Sequence, residues 1–108
     1  LYVNPGSLGA AVDGVGRRAQ FAVLYGDGQA WLPRLCSIPY DLDAYLRDYE
    51  ESGLDACGMV LGRAFRKTLL TGVNYFFKAV ETAELLFHKP LPEMTEEEWQ
   101  QAAGRLGL

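Results

Sequence analysis

The sequence predicts an α+β fold, with strands and a hairpin first and three to four helices after them. Two apolar runs of strand length, residues 20–25 and 29–38, flank the turn sequence Gly26-Asp27-Gly28. Beyond Pro39 the apolar residues change to the three-and-four spacing of helix faces. Near the end, Thr95 with Glu98 three residues on is the signature of a capping box.

Taken in order, Leu1-Tyr2-Val3 reads as the tail of a strand, and the chain as a piece of a longer protein cut where a buried strand meets a loop. Asn4-Pro5-Gly6-Ser7 follows as a type II turn: Pro5 presets the first central dihedral, Gly6 supplies the positive one, and Asn4 or Ser7 closes it. The hairpin comes next. Pro33 cannot donate to a ladder, so its strand is expected at an edge or with a bulge.

Asp41 is a good N-cap for a helix carrying Leu42, Tyr45, Leu46 and Tyr49 on one face, with Gly53 as the stop. Asp55 is expected to cap a second helix through Cys57, Val60, Leu61, Ala64 and Phe65, weakened by Gly58 and Gly62. A third is expected over residues 71–87, where Val73, Phe76, Phe77, Val80, Ala83 and Phe87 form one stripe; Gly72 either separates it from its predecessor or bends a longer rod. Pro90 and Pro92 break the pattern before the capping box opens a last helix, ended by Gly104 or Gly107.

With 49% hydrophobic residues, 108 residues amount to one domain. No apolar run approaches the ~20 residues of a membrane span, so no membrane is expected. Ten Lys and Arg against 14 Asp and Glu leave a net charge of -4, which supplies no basic footprint for nucleic acid. Cys36 and Cys57 are too far apart for a close metal-binding pair and read as buried, inert thiols of a cytoplasmic protein.

The stretch Asn-Pro-Gly-Ser-Leu-Gly is followed by a Gly-rich loop with Asp13-Gly14, Arg18, a strand, a Gly-Asp-Gly turn, another strand and Ile38-Pro39-Tyr40-Asp41 entering a helix. In that order these elements resemble the C-terminal end of the calcineurin-like metallophosphoesterases, in particular the small bacterial phosphodiesterase-like branch, over residues 1 to 67. The resemblance implies the C-terminal part of an αββα sandwich, with residues 1–40 as its strands and hairpin, 41–67 as family-like helices and 68–108 as an added helical extension.

It also implies hydrolysis of a phosphomonoester or phosphodiester by metal-activated water, with two divalent ions of the Mn, Mg, Fe or Zn class in the intact protein. The ligand motifs of the family, Asp-x-His, Gly-Asn-His and Gly-His-x-His, do not occur in this chain, which has one histidine. The implied partner is therefore an N-terminal portion of the same protein, or copies of this chain, and the chain alone is expected to be inactive. Only Asn4, Gly6 and Ser7 carry over, as a turn bordering the substrate and orienting the groups around it. Relatives place Pro-Arg ahead of Asp-Gly where this chain has Ala11-Val12. Arg17 and Arg18 are the nearest cations, and a loop arginine before a strand reads first as solvated.

His88, at a helix end, reads as a residue stabilised by the helix dipole. Asp41, Asp43, Asp48, Glu50, Glu51 and Asp55 read as caps and a solvated face, and Glu96 to Glu98 likewise. Tyr75, Phe76 and Phe77 put apolar bulk on more than one side of the third helix, which fits a partner surface. A reading of another class is a non-catalytic interaction or oligomerisation module whose Pro-Gly bend is only a turn.

Overall fold

The computed structural model describes residues 2–108, apart from the side chain of Asp55. It is α+β: an antiparallel hairpin, then helices. Strands β1 (Arg18–Gly26) and β2 (Trp31–Pro39) pair from Arg18↔Pro39 to Gly26↔Trp31 without a bulge. Leu24 faces Pro33, so the proline is accommodated because a two-stranded sheet leaves each strand an open edge. Asp27 Oδ1 accepts from the N–H groups of Gln29 and Ala30, which fixes the reversal between the strands.

The strand end expected at the start of the chain is not formed at Tyr2 and Val3. Neither pairs with the hairpin, and Tyr2 is 91% exposed; Leu1 lies outside the described residues.

Helix α1 (Leu42–Glu51) is capped by Asp41, whose side chain accepts from Ala44 N–H. The second expected helix divides into a single turn, α2 (Leu54–Cys57), and α3 (Met59–Thr71). Gly53, in the left-handed region at φ 76°, stands at the N-cap of α2 in place of Asp55, and the chain breaks at Gly58. Gly72, also left-handed at φ 68°, ends α3, and Asn74 caps α4 (Tyr75–Phe87) by accepting from Phe77 N–H. The third helix thus starts four residues later than its apolar stripe suggests, because a left-handed residue cannot continue a helix. The 67/68 division falls within α3.

A short 3-10 turn (Leu91–Glu93) precedes α5 (Glu96–Arg105), where both halves of the Thr95/Glu98 capping box form. Gly104 lies inside this helix, and the chain turns out of it at Gly107, φ 65°. Lys67 Nζ donates to Leu106 O at 2.6 Å and Gly107 O at 3.2 Å, placing a cation on the carbonyls that end α5.

Leu42, Leu46 and Leu69 form the core, with Ala10, Tyr40, Phe65 and Leu70 packed against it. Ala64, Ala79, Ala83, Ala102 and Ala103 are buried where α3, α4 and α5 meet, so the helices approach over small side chains. The hairpin stands apart: among the described residues no helix packs broadly across it, and the molecule measures 56 × 33 × 19 Å. None of the helices is long and apolar enough to cross a membrane among the described residues.

Candidate functional site

Pairing and pleat divide the hairpin into two faces. Arg18, Gln20, Ala22 and Leu24 share one face with Ser37, Leu35, Pro33 and Trp31; Ala19, Phe21, Val23 and Tyr25 share the other with Ile38, Cys36, Arg34 and Leu32. The Asn4–Ser7 turn lies on the first face, over Gln20. Gln20 N–H donates to Ser7 O at 2.8 Å, which fastens the turn to the start of β1.

Gly6 has φ 84°, the positive dihedral that the turn requires. A Cβ there would overlap the Gln20 amide group and lie 2.7 Å from Gln20 Cβ. Asn4 rather than Ser7 closes the bend: its Oδ1 accepts from Gly6 N–H at 3.1 Å. Ser7 Oγ accepts instead from Gly9 N–H at 3.3 Å and Ala10 N–H at 3.0 Å, and so shapes the next bend. These N–H groups are satisfied within the loop, so they do not form an anion cradle.

An open cleft of about 520 Å³ adjoins the turn, bounded by Asn4, Gly6, Ser7, Gln20, Leu35 and Ser37. Asn4, Gly6 and Ser7 thus lie together at the edge of this cleft. The role of Gln20 is invisible in a strand pattern, because one polar residue among apolar neighbours reads as a solvent-facing position. Asp13-Gly14 reads from the sequence as part of a loop, with no sign there of what the carboxylate does. Asp13 Oδ1 accepts from Val15 N–H at 2.9 Å and Gly16 N–H at 3.0 Å, and Oδ2 accepts from Gln20 Nε2 at 2.8 Å. The Gly16 bond first and the Val15 bond next hold this carboxyl below the ordinary aspartate value.

Both arginines have other work. Arg18 Nε donates to Ser37 Oγ at 2.8 Å and its terminal amino group to Ser37 O at 2.6 Å, across the hairpin. Arg17, left-handed at φ 59°, pairs with Asp43 at 3.7 Å.

Among the described residues no group of three or more His, Cys, Asp or Glu side chains could hold a metal ion. With Asn4 Oδ1 already engaged, the donor set of the described residues does not fit a bimetallic centre. His88 caps the end of α4 at φ 53°, its N–H donating to Glu84 O. Cys36 is half-buried and Cys57 exposed, so neither is the buried thiol that its apolar neighbours suggest. For Cys57 the cause is the break at Gly58, which ends α2 there and interrupts the stripe.

On each hairpin face three large apolar side chains are exposed: Leu24, Trp31 and Leu35 on one, Tyr25, Leu32 and Ile38 on the other. Trp31 is 62%, Leu32 68% and Leu35 67% exposed. The chain matches no protein-family model, no curated protein and no solved structure.

Proposed function

We propose that this chain is the C-terminal part of a metal-dependent phosphoesterase of the calcineurin-like class, inactive by itself. The supporting observation is the hairpin, apolar on both faces and carrying the Asn4–Ser7 turn at one end. An isolated two-stranded hairpin is marginal in water, and apolar side chains on both faces suit a sheet covered on both sides. An αββα sandwich provides that cover, with a second sheet on one face and helices on the other.

In this reading the metals and their ligands belong to preceding polypeptide in the cytoplasm. In the intact enzyme two divalent ions held by that polypeptide would supply the water activation for hydrolysis of a phosphomonoester or phosphodiester. The residues of this chain shape the wall of the cleft: Gly6 and Ser7 hold the bend against β1, and Gln20 supports it from below.

The test is hydrolysis of bis(4-nitrophenyl) phosphate with manganese by the protein that includes the polypeptide encoded ahead of Leu1. The reading expects turnover from that protein, none from the 108-residue chain, and Asp-x-His, Gly-Asn-His and Gly-His-x-His in the added segment. Turnover by the chain alone, or a preceding segment without those motifs, contradicts it.

The second reading, a non-catalytic interaction module, is favoured by the self-contained core around Leu42, Leu46 and Leu69. A stable monomer in sedimentation that melts cooperatively, hairpin included, supports that reading against the first.

A further inference from the structure

The bend at Gly6 and the junction between α3 and α4 are far apart in sequence, yet one continuous series of contacts joins them. Gly6 rests on the Gln20 side chain, and Gln20 Nε2 donates to Asp13 Oδ2. The other oxygen of that carboxylate holds the 13–16 loop through Val15 and Gly16. Gly14 N–H donates to Gly72 O at 2.9 Å, and Arg17 N–H to Leu69 O at 3.1 Å, so the loop is clasped to the last turn of α3. There is no slack at that end: a Cβ on Gly72 would lie 2.6 Å from Asp13 Oδ1, and one on Gly16 2.8 Å from Leu69 O.

We infer that Asp13 and Gln20 are positioning residues that couple the Asn4–Ser7 turn to the α3–α4 junction. The two carboxylate oxygens divide the task, one fixing the loop on α3 and the other fixing the side chain under the turn. Coupling of this kind is reciprocal: whatever settles the turn also steadies the junction, and a shift of the helices at Gly72 moves the turn. Its significance for catalysis rests on the phosphoesterase reading, whereas its structural content does not. The helical segment beyond residue 68 thereby gains a route to the cleft without lining it.

The experiment records the amide resonances of the ¹⁵N-labelled chain carrying Asp13→Ala, first with Gln20 and then with Gln20→Leu. With Gln20 present, Asp13→Ala shifts the signals of Gly14 and Gly72 and also those of Gly6 and Ser7. In the Gln20→Leu background the same substitution still shifts Gly14 and Gly72, but leaves Gly6 and Ser7 where Gln20→Leu alone put them. Ala79 and Ala83, in the helical core, stay in place throughout. Gly6 and Ser7 signals that ignore Asp13→Ala, or that respond equally in both backgrounds, overturn the inference.

Should Asp13→Ala broaden the loop signals beyond detection, Gly72→Ala perturbs the same series from its other end and is read in the same two backgrounds. In the longer protein, Gln20→Leu lowers kcat/KM if the turn borders the substrate. A longer protein with no phosphoesterase activity removes the functional reading and leaves the resonance test standing.

Discussion

Gly6 and Gln20 are fitted so closely that the amide group of Gln20 occupies the place a Cβ on Gly6 would take. The backbone at Gly6 is also left-handed, at φ 84°. Two independent constraints, dihedral and space, therefore meet at one residue.

Gly6→Ala is expected to destabilise the turn by about 1–3 kcal/mol, the usual range for a residue held in a sparsely populated region. Urea unfolding measures the loss. In a Gln20→Ala background the overlap with the amide group disappears, while the 2.7 Å approach to the Cβ of residue 20 and the dihedral part remain, so the loss from Gly6→Ala is smaller there. An equal loss in both backgrounds contradicts the fit between the two residues.

Thr95→Ala removes a cap that satisfies Glu98 N–H, in a box whose other half is the Glu98 carboxylate accepting from Thr95 N–H at 2.8 Å. The expected cost is about 1 kcal/mol, read as a lower urea midpoint with an unchanged slope. The same carboxylate pairs with Lys89 at 2.6 Å, so α5 frays and loosens its hold on the segment that follows α4.

The folded protein is expected to lose stability in acid. The carboxyl of Glu98 is held low first by the Lys89 ammonium and then by Thr95 N–H, and that of Asp27 by the N–H groups of Ala30 and Gln29. Asp13 behaves in the same way through Gly16 and Val15. Each carboxyl binds its proton less readily folded than unfolded. Their contribution is complete above the unfolded values near about pH 4 and is lost as pH falls through the lower folded values. Urea midpoints measured down through this window should drop, and Asp13→Asn or Glu98→Gln should flatten the drop. A midpoint indifferent to pH contradicts these assignments.

Local signals made much of this fold legible. Asp41, Thr95 and Glu98 announce their helices because capping is a contact between near neighbours, and the Gly-Asp-Gly sequence announces the hairpin for the same reason. The helix break at Gly58 and the late start of α4 at Tyr75 are only partly legible: Gly58 and Gly72 mark weak points, but an apolar stripe runs on where the backbone does not. At the candidate site, the positive dihedral of Gly6 follows from Asn-Pro-Gly-Ser, whereas the support from Gln20 and Asp13 depends on how the loop folds back onto α3. The exposure of Cys57 likewise follows from a helix end, not from composition.

Hydrogen exchange of the β2 backbone tests the central physical claim, that the hairpin is an inner layer of the working protein. The amides of Trp31, Leu32, Leu35 and Ile38 are to be compared in the 108-residue chain and in the protein that includes the polypeptide encoded ahead of Leu1. Exchange is expected to be rapid in the chain alone and strongly slowed in the longer protein. Equally rapid exchange in both would mean that nothing covers the hairpin, and would contradict that claim.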